Sequence, residues 1–201
     1  MKPRFKTKIE GNFLKIFDEQ SKYLLMISKR KLPDVMAYTE ISFISDPKLK
    51  HGYVTCRGIN ETPEIEQYLK PENQLIDIGG GLHEASVALT KKQSNLGLNK
   101  LKPIVIDPFN YEVGIEMLEH SINYQNEFPN YINNKIDELI KRAYRIINPQ
   151  KVKLINTTVE NALKISELKE VADIVFSSYA NIEKEKLNYF KKPEGEILYR
   201  R

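Results

Sequence analysis

The residues Asp77, Gly79, Gly80, Gly81, Leu82 and His83 form the segment best suited to holding a ligand. Glycines let a backbone turn sharply and let a ligand approach without meeting a Cβ. Asp77, two residues before the first glycine, offers carboxylate oxygens to an ammonium group, directly or through water. A dinucleotide loop reads G-x-G-x-x-G. Here Gly79 and Gly81 fit, but Glu84 stands where the third glycine belongs. A carboxylate at the start of the next helix opposes a pyrophosphate, the group such a helix end otherwise attracts. The chemistry indicated is that of a polar ligand with an ammonium group and no phosphate. A plainer reading makes the glycines a tight strand-to-helix turn. His83 either approaches a ligand carboxylate or acts as a base, or it begins the helix and bonds locally.

The elements that must position this loop follow from hydrophobic pattern. A short apolar strand is expected at 75–78 and a helix at 83–92, with Val87, Ala88 and Leu89 on its apolar side. A second strand at 103–107 shows no alternation, as expected when both sheet faces are covered. Further strands are expected at 152–156, 172–176 and 195–199. Helices are expected around Ala162, Ile165, Leu168 and Val171, and over 183–189. Strands alternating with helices imply a parallel sheet.

Between the second and third of these strands, residues 110–150 hold two helices separated by Pro129. The second carries Ile132, Ile136, Leu139, Ile140, Ala143 and Ile147 at helical spacing and stops at Asn148-Pro149. Lys141, Arg142 and Arg145 fall in its last turns, where cations complement the helix dipole. One helix suffices for a crossover, so the other is a candidate for substrate recognition or oligomerisation. Residues 1–70 read as an N-terminal extension. It contains a hairpin over 12–17 and 22–28 and short strands at 37–45 and 52–55. Residues 71–201 read as the ligand-binding domain.

Asp77-Ile-Gly79-Gly80-Gly81 resembles the first motif of class I S-adenosylmethionine (SAM)-dependent methyltransferases, D/E-x-G-x-G. Asp107, closing the second strand, resembles that family's acid for the ribose hydroxyls. Residues 156–160, with Thr158 and Val159, resemble the segment bordering the adenine. Residues 172–179, with Ser177, resemble the fourth strand and the turn beside the ligand. Residues 190–198 resemble the connection into strand five. The resemblance covers about residues 72–200. It implies a Rossmann-like three-layer α/β sandwich with a mostly parallel sheet. It also implies SAM as cofactor, S-adenosyl-L-homocysteine as product, and in-line methyl transfer to an acceptor the sequence does not name. The family's usual strands six and seven find no counterpart after strand five. The N-terminal hairpin is therefore expected to cover that edge or replace the pair, with a truncated chain or an edge covered by a partner as alternatives. The stretch from Gly81 to Asp107 is longer than usual for the family.

No catalytic residue is assigned, because methyl transfer needs a base only when the acceptor must lose a proton. Ser177-Ser-Tyr179-Ala replaces the D/N-P-P-Y/F sequence of amino-group methylation. His51 and His120 lack metal-ligand spacing and read as structural. Cys56, the single cysteine, excludes an internal disulfide and a thiolate-rich metal cluster. Hydrophobic residues at 41% and charged residues at 29% suit one soluble domain of 201 residues, perhaps with a small appendage. The apolar runs are too short to span a membrane, and no secretory signal is read, so a cytoplasmic location is expected. The net charge of +4 is concentrated in cations between Lys2 and Lys31. They read as a solvated face or as contacts to a nucleic-acid acceptor, a small-molecule acceptor being the other class. Two further functions stand beside methyl transfer: a non-catalytic binding protein of this fold, and an NAD-dependent oxidoreductase.

Overall fold

The computed structural model describes residues 4–31, 40–46, 51–54, 70, 72–82, 101–178 and 182–200. Two compact units emerge, one from Met1–Arg57 and Tyr111–Tyr144, the other from Gly58–Asn110 and Arg145–Arg201.

The first unit is built on alternation. β1 (Phe5–Glu10), β2 (Phe13–Asp18), β3 (Leu24–Ser28), β4 (Ile41–Asp46) and β5 (His51–Val54) pair antiparallel in chain order. Register aligns Leu14 with Ile27 and Ile41, and Ile16 with Leu25 and Phe43. These six side chains, on one face, are all 0% exposed. The inserted helices α1 (Tyr111–Ser121) and α2 (Asn130–Ile146) supply the rest of this core, α1 contacting β2. Tyr111, Val113, Ile115, Met117 and Leu118 are buried from α1, and Ile132, Ile136, Leu139 and Ala143 from α2. The expected hairpin therefore pairs within this sheet, with β1 and β4 as neighbours. Among the described residues it does not pair with the parallel sheet's edge strand, because both of its own edges are taken by β1 and β4.

β1 adds to the sequence reading. Its lysines hid a strand in which Phe5, Thr7 and Ile9 alternate with Lys6 and Lys8. An edge strand tolerates lysines, which deter further pairing. The cations of this segment are largely matched at home. Arg4 contacts Asp18 and Glu116, Lys6 pairs with Glu19, Lys8 and Lys15 share Glu10, and Lys29 meets Glu127. The two Lys contacts hold the Glu10 carboxyl at about 2. On α2, Arg142 pairs with Glu138 one turn back, and Glu40 at 1% exposure accepts from the Tyr131 hydroxyl at 3.1 Å and from Lys135 at 2.6 Å.

The second unit is an α/β fold with a five-stranded, all-parallel sheet. β6 (Leu75–Ile78), β7 (Ile104–Ile106), β8 (Lys153–Ile155), β9 (Ala172–Ser178) and β10 (Lys191–Arg200) lie in the order β10-β9-β6-β7-β8. Counted along the chain this is 3-2-1-4-5, the doubly wound, Rossmann-like order. The chain runs outward from β6 to β8 and then returns to β9 on the other side of β6. One face packs Ile76, Ile78, Ile104, Ile106 and Val175 against α3 (Val159–Ala162), the turn at Ser166–Leu168 and α4 (Lys184–Leu187). Both helices are shorter than their patterns suggested, each a single turn of four residues. β10 carries an irregularity between Lys191 and Glu196, which lengthens it beyond the expected 195–199. Among the described residues β10 pairs only with β9. The expected helix at 83–92 lies outside the described residues. No helix among those described is long and apolar enough to cross a membrane.

Candidate ligand-binding site

In a doubly wound sheet, ligands settle beyond the carboxyl ends of the strands, where strand order reverses. That reversal falls at β6, and the residues immediately after β6 are the glycine turn. Gly79 still belongs to the ladder, its N–H donating to Ile106 O at 2.9 Å. Gly79 has φ +70° and Gly81 φ +53°, values in the left-handed region that side chains rarely adopt. Gly80 is needed for a different reason. A Cβ there would lie 2.5 Å from Asp77 Oδ2 and 2.9 Å from both Cγ and Oδ1. The Asp77 carboxylate, 1% exposed, is thus packed directly against the turn. At Gly81, itself buried, a Cβ would meet no described residue within 4 Å.

Asp77 stands opposite Val105 and Phe176 in the ladder. Asp107 lies two residues beyond Val105, so the two acids share one face of the sheet. The main chain continues the ladder there, Asp107 N–H donating to Ile155 O at 3.3 Å. The Asp107 carboxylate is fully buried and bonded at both oxygens. Gly81 N–H donates to Oδ2 at 2.7 Å, and Phe109 N–H donates to Oδ1 at 2.6 Å. Burial pushes the Asp107 carboxyl above the usual range, and these two N–H groups pull against that shift. Sequence reasoning weighed Asp107 as a ribose acceptor and missed this local role. The signal was present: Asp-Pro-x favours a turn in which the Asp side chain caps the N–H two residues on.

The other expected site residues divide. Leu82 is 0% exposed. His83 and Glu84 lie outside the described residues, as do Cys56 and Tyr179. Thr158 is exposed at the N-terminus of α3, and Val159 is buried in the core cluster of the opposite sheet face. Ser177 neighbours Tyr199 in the ladder and is one residue past Phe176, so it too points away from the face of Asp77. It is 0% exposed, and its hydroxyl has no hydrogen-bond partner among the described residues. The structure therefore gathers Asp77, Gly79, Gly80, Gly81 and Asp107, and sets Val159 and Ser177 on the other side. His120 lies in the first unit, bonded to Thr7 Oγ1 at 3.0 Å and beside the Phe5 ring. Among the described residues no three of His, Cys, Asp and Glu are grouped to hold a metal ion.

Comparison with known proteins adds little. No family model matches the chain, and no curated protein matches it. Among solved structures it is similar to a Plasmodium falciparum chain assigned as a protein-L-isoaspartate O-methyltransferase, in complex with S-adenosyl-L-homocysteine. Identity is 16% and the TM-score 0.42, over 79% of this chain and 62% of that one. This chain thus spans less than two thirds of its length. A similarity of that size carries no argument, and the fold stands on strand order and pairing.

A cavity of about 720 Å³ lies away from the turn. It is lined by Gln74, Lys102 and Val152, which precede β6, β7 and β8, and so opens at the strands' amino ends.

Proposed function

We propose that the second unit binds SAM across the carboxyl ends of β6 and β7, and that the protein is a SAM-dependent methyltransferase. The observation that supports this best is the glycine turn at the point of strand reversal, with two carboxylates drawn to it on one sheet face. The residues fit the ligand in type. Asp77 suits an ammonium group. The Gly79–Gly81 backbone allows close approach, and no described residue would meet a Cβ at Gly81. Asp107 uses one lone pair on each oxygen for backbone N–H groups, and a carboxylate has about four acceptor sites, which leaves capacity for a ribose diol. Bound SAM supplies a methyl group on a sulfonium, an electrophile that needs no further activation. The chain's own part is to orient that group and exclude water, since holding reactants in line lowers the barrier. The acceptor is a small molecule or a nucleic acid.

One observation favours a second reading, a non-catalytic protein of this fold. Asp107 is fully buried and already satisfied by Gly81 and Phe109, as an acid that only ties the turn together would be.

Calorimetry on the whole chain separates these readings. Methyl transfer requires that S-adenosyl-L-homocysteine bind and NAD not. Asp107→Ala and Gly79→Arg are each expected to weaken that binding by about tenfold or more, since each removes or blocks a ligand contact. Absence of heat with S-adenosyl-L-homocysteine, or unchanged affinity in both variants, would defeat the proposal. Product formed from labelled SAM in fractionated cell extract then distinguishes an enzyme from a binding protein.

A further inference from the structure

We infer that Asn156 is a positioning residue that sets the Asp107 carboxylate against the glycine turn. Its effect on affinity rests on the ligand reading above; its effect on the turn does not. Asn156 follows β8 directly, at the third strand tip of the reversal. Its Nδ2 donates to Asp107 O at 2.9 Å and to Phe109 O at 2.6 Å. Both amide hydrogens are thereby used, and two carbonyl acceptors fix which end of the amide faces them. Between those carbonyls lies Pro108, which has no N–H and a fixed φ and so cannot donate to steady the loop. The Phe109 N–H held in this way is the one that donates to Asp107 Oδ1, and Asp107 Oδ2 accepts from Gly81. One continuous set of hydrogen bonds thus runs from the tip of β8, through 107–109, to the turn after β6. Asn156 itself is exposed and buries little apolar surface. Its contribution is directional, which separates it from a packing residue.

The test uses the full chain as wild type, Asn156→Ala and Asn156→Asp. Asp keeps the shape, removes both donors and sets acceptor oxygens against two carbonyls. Amide hydrogen exchange at Gly81 and Phe109 is followed by NMR, beside thermal melting and calorimetry with S-adenosyl-L-homocysteine. Exchange at both amides is expected to quicken about tenfold in either variant, the factor given by losing roughly one hydrogen bond. Melting should move by only a few degrees, and affinity should fall by a similar factor. Unchanged exchange at Gly81 in both variants overturns the inference. So does normal exchange in Asn156→Asp with loss in Asn156→Ala, which marks packing, or global unfolding of both, which marks a structural role. If the wild type takes up no S-adenosyl-L-homocysteine, the ligand reading falls, while the exchange comparison still decides the role of Asn156.

Discussion

Gly80→Ala tests the turn by steric argument alone. The new Cβ would sit 2.5 Å from Asp77 Oδ2, about an ångström inside ordinary contact, and 2.9 Å from Cγ. Asp77 is buried on the central strand, so its carboxylate has little room to swing aside. Overpacking of this kind costs about 1–3 kcal/mol. Gly80 is absent from the residues with positive φ, so its backbone imposes no cost on alanine. Gly→Ala at such a position stabilises by about 0.4–1 kcal/mol, because the unfolded chain loses freedom. The two effects separate in an Asp77→Ala background, where the clashing atoms are gone. Gly80→Ala should therefore destabilise the wild type and be neutral or stabilising in the Asp77→Ala protein. Urea unfolding of the four proteins measures both values; the unfolded-state gain is common to both backgrounds, so the coupling between the two sites should equal the overpacking cost, about 1–3 kcal/mol. Equal cost in both backgrounds would refute the claim that Asp77 packs against the turn.

Other consequences can be checked singly. Tyr131 is held at about 12, first by burial and then by the Glu40 carboxylate that accepts from it. Spectrophotometric titration of Glu40→Gln should find it lower, though still above 10 because burial remains. Burial lowers the His120 imidazole below 6.5, so folding favours its neutral form. Its contribution to stability is present above the unfolded pKa and is lost as pH falls through 6.5 towards the folded value. Denaturation midpoints should drop over that window, and the drop should shrink in His120→Gln. At Gly195 a Cβ would lie 2.8 Å from Ala172 O and 2.9 Å from Asp173 O, backbone atoms that cannot rotate away. Gly195→Ala should cost about 1–3 kcal/mol in urea unfolding.

Much of the second unit was legible because a parallel sheet covered on both faces writes itself as unbroken apolar runs. Leu75-Ile76 and Ile104-Val105-Ile106 are such runs, and the glycines after the first mark its end. Helix length was not legible, since Ala162, Ile165 and Leu168 keep a helical rhythm across a break that the apolar pattern alone does not reveal. Glu170, with φ +52°, lies two residues past Leu168. Periodicity likewise found α1 and α2 but not their destination: an apolar stripe says which face is buried and not against what. The site divided along the same line. Asp77 and the glycines follow from local sequence, whereas the tie between Asp107, Phe109 and Asn156 depends on three strand tips meeting in space. Val159 and Ser177 were assigned by resemblance; strand parity turns Ser177 to the other face, and Val159 lies on the helix packed against that face.

The chain passes from one unit to the other at residues 57–58, 110–111 and 144–145. During synthesis the antiparallel sheet leaves the ribosome long before the helices that complete its core. At about 5–20 residues per second, the intervening residues 58–110 impose a wait of roughly 3–10 seconds. Throughout that interval the row of Leu14, Ile16, Leu25, Ile27, Ile41 and Phe43 is a nascent apolar face awaiting its cover, a natural place for a chaperone to hold the growing polypeptide.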